Sequence, residues 1–233
     1  MATTISLTQG DKLSQRQTRD GGGRSMNNEA AVTFDKQLKE LVPNEILSTL
    51  KKLFPNLEFK YEKKLSQEYY AKIINPNYKP SSDKSFISPD GGFVYVKIKG
   101  IWVPVLITEA KKQGTNDKRE AEGKCKQAMG NAIERAHKNY NELKEYMSTF
   151  NQKYFPYLIF AYGCDFKDGS TIRDRLAAMT RYQDYNQFNI LNDGYHQRAT
   201  IFIQTERFSD QYIIDKCIEA VSIVINELFP EQH

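Results

Sequence analysis

The sequence predicts an α/β fold, a sandwich of helices around a mixed sheet. Three observations carry this expectation. Two runs rich in Val and Ile, Gly92–Ile98 and Ile101–Ala110, flank the dipeptide Lys99-Gly100 and read as a β-hairpin with a tight turn. Two short continuous apolar runs, Pro156–Gly163 and Ala199–Thr205, read as buried strands. Helical periodicity precedes, separates and follows them, so the order is helix, hairpin, helix, strand, strand, helix.

Taken in order, Met1–Asn27 is polar, carries a Gly21-Gly22-Gly23 run and has hardly any apolar side chains. It reads as a disordered arm, either idle or touching phosphates through Lys12, Arg16, Arg19 and Arg24. Residues 28–233 then read as a single domain, since 233 residues support one sizeable core and are few for two. From Glu29 to Leu53, Phe34, Leu38, Leu41 and Val42 line one helical face. Pro43 is expected to break the run before Ile46, Leu47, Leu50 and Leu53 resume it. A linker rich in Tyr and Lys follows, ending in the loop Pro80–Ser88. After the hairpin, Asp117–Phe150 is mostly helical, with an interruption near Gly130. The second half would bury Ile133, Ala136, Tyr140, Leu143, Met147 and Phe150. Lys167–His196 has no clean period and is the natural place for a functional excursion. The chain closes with a helix capped by Ser209 or Asp210 that turns Ile213, Ile214, Cys217, Val221, Val224, Ile225 and Leu228 inward.

Composition narrows the chemistry. Hydrophobic residues at 39% and charged residues at 27% suit a soluble globular protein. The longest apolar runs, such as Tyr157–Tyr162 and Ala220–Ile225, are too short to cross a bilayer, so no membrane partner is expected. Met1–Gly10 lacks the layout of a secretory signal, which points to the cytoplasm. The three cysteines, Cys125, Cys164 and Cys217, form no CxxC pair and read as reduced thiols. His137, His196 and His233 lie far apart, without zinc spacing. A metal would therefore be held by oxygen ligands, which favours Mg²⁺. A net charge of +4 permits a polyanionic partner without demanding one.

The hairpin supports a geometric deduction. If Lys99-Gly100 is a two-residue turn and the ladder is unbroken, Asp90 and Glu109 are equidistant from it and lie opposite each other. Opposed residues have β-carbons about 5 Å apart. Two carboxylates at that separation repel unless a cation sits between them. Period-two alternation places Lys111 on the same face as Glu109 and Ala110 on the other. Lys111 would stand beside the metal and orient or deprotonate a water, and the Ala110 carbonyl is a candidate further ligand. The competing reading is a surface ion pair between Lys111 and Glu109 or Asp90. Pro104 is a blemish, because it cannot donate to the ladder and implies an outward position or a register-shifting bulge.

A second signal is Gly130-Asn131-Ala132-Ile133-Glu134-Arg135. Gly130 is expected to break one helix and Asn131 to cap the next, with Glu134 completing a capping box. Asparagine can bond adenine N6 and N7 together in the major groove, Arg135 can donate to purine acceptors, and a helix N-terminus favours phosphate. The competing reading is an ordinary cap followed by an exposed arginine. Lys138 also falls off the buried face.

Pro89-Asp90-Gly91-Gly92, Glu109-Ala110-Lys111 and Gly130–Arg135, with His137-Lys138-Asn139 following, resemble the EcoRI-like type II restriction endonucleases of the PD-(D/E)xK nuclease superfamily. Weaker likeness extends from Leu53-Phe54-Pro55 through Phe155-Pro156-Tyr157 to Arg175-Leu176. The resemblance implies a restriction-endonuclease-like fold with a mixed sheet of the five-stranded type flanked by helices. It implies Mg²⁺ held by Asp90, Glu109 and the Ala110 carbonyl, with Lys111 serving the attacking water. Gly130, Asn131, Ala132 and Arg135 would read the inner bases of an AATT core in double-stranded DNA, with Glu134, Lys138 and Arg175 also at the interface. Glu134 and Arg135 would link recognition to the other subunit's active site. The partners implied are duplex DNA and a second copy, in a homodimer that mirrors a palindrome. The activity implied is phosphodiester hydrolysis leaving 5′-phosphates, within a restriction-modification system. The chain departs from the pattern near Ala177-Ala178 and is shorter between Asp168 and Ala199. Ala178 stands where relatives that cut GAATTC carry an arginine implicated at the outer guanine, so a relaxed outer position is expected. Two alternatives share part of this evidence. A structure-specific repair or junction nuclease would need the Asp, Glu and Lys set but no base-reading segment. A non-catalytic DNA-binding regulator would not need the intact set.

Overall fold

In the computed structural model, the residues described are 36–66, 75–77, 86–112, 121–123, 130–150, 153–168, 185–191 and 199–230, of which 130–137 are described by backbone alone. The turn expected at Lys99-Gly100 forms. Its φ angles, 47° and 84°, are both positive, as the twist-matched two-residue hairpin turn requires. Strands β4 (Gly92–Ile98) and β5 (Ile101–Lys112) pair antiparallel through it. The register from Ile98↔Ile101 to Tyr95↔Pro104 is that of an unbroken ladder, but Val94 then pairs with Leu106. Val105 is thus an extra residue, a bulge immediately after Pro104, whose missing N–H cannot hold the ladder at that point.

Strand β1 (Phe59–Glu62) pairs antiparallel with the other edge of β4, from Phe59↔Val96 to Glu62↔Phe93. This corrects the reading of the Tyr- and Lys-rich stretch as a linker. Small strands β2 (Leu65–Ser66) and β3 (Phe86–Ile87) form a separate pair. On the far side of β5, β6 (Tyr157–Tyr162) and then β7 (Thr200–Gln204) run parallel to it. The sheet order is β1-β4-β5-β6-β7, antiparallel on one side and parallel on the other, a mixed five-stranded sheet as expected. Every residue of β6 is buried, as a strand covered on both faces requires.

Helices cover the two faces. Helix α1 spans residues 36–53 and passes through Pro43 without breaking, because Val42–Ile46 widens into a π-helical turn. A π turn relieves the clash of the proline ring with the preceding carbonyls and lets the helix continue. Leu38, Leu41, Val42, Ile46 and Leu50 are buried on its inner face, whereas Leu53 is 53% exposed, against expectation. Helix α2 (Gly130–Ser148) lies on one face, with the Tyr146 ring edge-on to Phe93 at 6.4 Å and Tyr140 edge-on to Phe155 at 5.6 Å. Helix α3 (Asp210–Leu228) lies on the other, where Tyr212 meets Phe202 edge-on at 6.0 Å and Phe208 in a stack at 5.3 Å. Ser209 caps α3, its hydroxyl accepting from the Tyr212 N–H at 3.2 Å. Ser209→Ala is expected to lower stability by about 1 kcal/mol. A denaturation midpoint equal to wild type would show that water replaces the cap.

Candidate active site

The bulge at Val105 decides which groups meet at the far end of the hairpin. With the register shifted by one, Gly92 pairs with Thr108, so two residues further on Asp90 falls across from Ala110. An unbroken ladder would have set it opposite Glu109, so that expectation is corrected. Asp90 nevertheless reaches Glu109, because it lies in the turn before β4 and is not bound by strand alternation. Its carboxylate Oδ2 accepts from the Ala110 N–H at 3.0 Å, and its own N–H donates to Glu109 Oε2 at 3.1 Å. The Gly91 N–H donates to the Thr108 carbonyl at 3.0 Å. The approach is so close that a β-carbon on Gly91 would lie 1.8 Å from Thr108 Oγ1, so only glycine fits there.

Glu109 is 3% exposed. Its Oε1 accepts from Lys111 Nζ and from Asn139 Nδ2, the latter at 3.1 Å. Burial pushes its pKa up, the Lys111 ammonium pulls it down, and the Asp90 charge pushes it up again. The expected face-sharing of Glu109 and Lys111 is therefore present, with Lys111 partly buried against the carboxylate. Ala110 is buried on the opposite face. Lys112 also projects there, 5.8 Å from the Tyr162 ring centroid, and partial burial lowers its pKa.

Two further side chains belong to this site; both lie in segments that carry the resemblance, but the sequence suggested no role for either. Asn139 reaches Glu109 from α2. It immediately precedes Tyr140, at the edge of the buried stripe, and a polar residue in that position is the signal that could have found it. Tyr157 is fully buried, and its hydroxyl has no hydrogen-bond partner among the described residues. It sits on the same face as Glu109, one pleat back along the parallel ladder. Burial first, then the charges of Glu109 and Asp90, raise its pKa well above the usual value, so it stays a neutral phenol.

The donor set suits a hard divalent cation. Among the described residues no group of three or more His, Cys, Asp or Glu is arranged to hold a metal ion. The set offered is two carboxylates, Asp90 and Glu109, beside the Ala110 backbone. That is what Mg²⁺ accepts when waters and a substrate phosphate complete its shell.

The Gly130–Arg135 segment is described by its backbone alone. Gly130, Asn131, Ala132, Glu134 and Arg135 lie in the first turns of α2, and their side chains fall outside the description. Gly130 and Asn131 are already helical, so Asn131 is not the cap that the sequence suggested. A single glycine costs a helix only about 1 kcal/mol and need not end it. Lys138 is exposed, with Nζ 3.6 Å from Glu142 Oε1. Arg175, Ala178 and the arm at 1–27 lie outside the described residues, as does most of Lys167–His196. Neither Cys164 nor Cys217 is in a disulfide. Among the described residues no helix is long and apolar enough to cross a membrane.

Residues 20–192 match the family described as Restriction endonuclease EcoRI. The chain belongs to the EcoRI restriction endonuclease family. Within it, the type II restriction enzyme RsrI of Cereibacter sphaeroides is 34% identical over 173 residues, covering 66% of this chain and 60% of RsrI. The type II restriction enzyme EcoRI of Escherichia coli is 34% identical over 175 residues, covering 69% of this chain and 60% of EcoRI. The chain thus aligns with about 60% of the length of these curated family members. A crystal structure of MunI restriction endonuclease with cognate DNA aligns at a TM-score of 0.39 and 17% identity, over 78% of this chain and 96% of that one. This likeness is too distant to add to the family assignment.

Proposed function

We propose that the chain is a Mg²⁺-dependent type II restriction endonuclease that works as a homodimer. It would cut duplex DNA at a palindrome with an AATT core and leave 5′-phosphates, as the nuclease of a restriction-modification system. Residues 28–233 would be its single nuclease domain. The observation that carries this reading is the interlocked group of Asp90, Glu109 and Lys111, whose Glu109 also accepts a bond from the helix bearing Gly130–Arg135. Family membership supports it, as do the relatives described as type II restriction enzymes.

The division of labour follows from the residues. Asp90 and Glu109, with the Ala110 carbonyl, would hold Mg²⁺, which when bound neutralises charge on the phosphate under attack. Burial of Glu109 keeps competing water from that carboxylate. Lys111, its ammonium paired with Glu109, would orient the attacking water and favour release of its proton to solvent. Water oxygen bonds to phosphorus as the bond to the 3′-oxygen breaks, and that oxygen takes a proton from solvent, leaving a 5′-phosphate and a 3′-hydroxyl. Asn131 would bond adenine, Gly130, Ala132 and Arg135 would complete the reading surface, and Glu134, Lys138 and Arg175 would support it. The segments from two protomers would read the two halves of the palindrome.

Digestion of a sequenced plasmid with Mg²⁺, followed by end mapping, tests this. Discrete bands with all ends at AATT are expected. A smear, ends at branched structures, or an uncut plasmid would reject it in favour of the alternatives. Matched duplexes carrying GAATTC, AAATTT, CAATTG and TAATTA test the outer pair, where Ala178 leads us to expect cleavage of more than GAATTC. Asn131→Ala is expected to reduce discrimination at the inner adenine by roughly 1–3 kcal/mol per half-site. The comparison is binding to cognate and inner-base-changed duplexes, and an unchanged preference would remove Asn131 from the reading surface.

A further inference from the structure

Asn139 connects two parts of the molecule that the proposed function keeps separate. Its amide Nδ2 donates to Glu109 Oε1 at 3.1 Å, across thirty positions of sequence and between helix and sheet. The same oxygen accepts from Lys111, while the other carboxylate oxygen accepts from the Asp90 N–H. Glu109 therefore has one donor from its own strand, one from the turn before β4, and one from α2. Among the described residues, the last alone belongs to an element outside the hairpin. Helix α2 is continuous from Gly130 to Ser148, so Asn139 is rigidly joined to the Gly130–Arg135 segment. Eight residues separate Asn131 from Asn139, about 12 Å along the axis. Tyr140, Leu143, Tyr146 and Met147 are buried and fasten the helix just beyond Asn139. A shift of the helix would carry the Asn139 amide with it, and a carboxylate held by hydrogen bonds follows its donors.

We propose that Asn139 is a positioning residue through which helix α2 sets the orientation of the Glu109 carboxylate, so that correct docking of the Gly130–Arg135 segment completes the metal site. This rests on the nuclease reading above. Asn139 acts by holding Glu109 and not by touching the reacting atoms. Residues that orient a ligand carboxylate typically change metal affinity 10–100-fold when lost. Metal and DNA affinities then change each other by the same factor.

The test is Mn²⁺ binding, read from loss of the free-ion electron paramagnetic resonance signal. It is measured on the full chain with a duplex whose scissile phosphates are replaced by an uncleavable analogue, carrying either AATT or a scrambled core. Wild type is expected to bind Mn²⁺ more tightly on AATT than on the scrambled duplex. Asn139→Ala, and the similarly sized Asn139→Leu, neither of which can donate to Glu109, are expected to weaken Mn²⁺ binding on AATT about 10-fold or more and to erase the difference between duplexes. Both variants should stay folded, with a thermal midpoint lowered only by the lost hydrogen bond to buried Glu109, and metal-free DNA affinity should stay at the wild-type value. Mn²⁺ affinity and duplex preference equal to wild type in both variants would overturn the proposal. So would loss of metal-free DNA binding, which would make Asn139 a DNA contact. If wild type binds no Mn²⁺ on either duplex, the metal-dependent function itself fails and this inference falls with it. If wild type binds and the variants match it, the function stands and only the role of Asn139 is rejected.

Discussion

Glu109→Ala is expected to eliminate DNA cleavage while leaving sequence-specific binding intact, and Asp90→Ala is expected to behave alike. The two carboxylates are bound into each other's surroundings, each accepting from a backbone N–H next to the other. Neither is free to be replaced by a neighbour. If the two carboxylates hold the metal as proposed, loss of one removes several kcal/mol of charge stabilisation, so the rate should fall about 10³-fold or more. Binding should survive, because removing a carboxylate relieves repulsion near the phosphate. Gel shifts without a divalent ion, paired with cleavage in Mg²⁺, measure the two effects separately. Cleavage near the wild-type rate in either variant would exclude these residues from the metal site.

The second large effect is expected at Gly91→Ala. The added methyl would lie 1.8 Å from Thr108 Oγ1 and 3.0 Å from Val42 Cγ2. Thr108 is fully buried and Val42 belongs to the core, so neither can step aside into solvent. Overpacking of this kind costs roughly 1–3 kcal/mol. The strain would be relieved by moving the Pro89–Gly92 turn outward. That movement stretches the Gly91 N–H bond to Thr108 and draws Asp90 away from Glu109. Stability and cleavage should therefore fall together, cleavage by more than the folded fraction explains. Thr108→Ala removes the nearest atom, a hydroxyl with no hydrogen-bond partner among the described residues. The double variant Gly91→Ala with Thr108→Ala should recover part of the stability lost in Gly91→Ala alone. A single Gly91→Ala variant with an unchanged denaturation midpoint would show that the turn has room to spare.

Read alone, the sequence determined the features that depend on neighbouring residues. Lys99-Gly100 between two β-branched runs specified the turn, and the observed φ angles of 47° and 84° are those a tight hairpin needs. Alternation put Glu109 and Lys111 on one face, since a strand's side chains repeat every second residue. Ser209 capped α3 because a serine oxygen there meets a helix N–H whatever surrounds it. The tertiary structure alone decided the rest. Strand β1 was hidden in a lysine-rich stretch because an edge strand keeps charged side chains in water and shows a weak apolar pattern. The proline at position 104 announced a disturbance, but whether it shifted the ladder depended on packing, and the shift moved Asp90 from Glu109 to Ala110. The contacts of Glu109 with Asn139, and of its face with the buried Tyr157, join residues far apart in the chain. No local period encodes such contacts, because they exist only once β6 has paired beside β5 and helix α2 has been laid across the sheet.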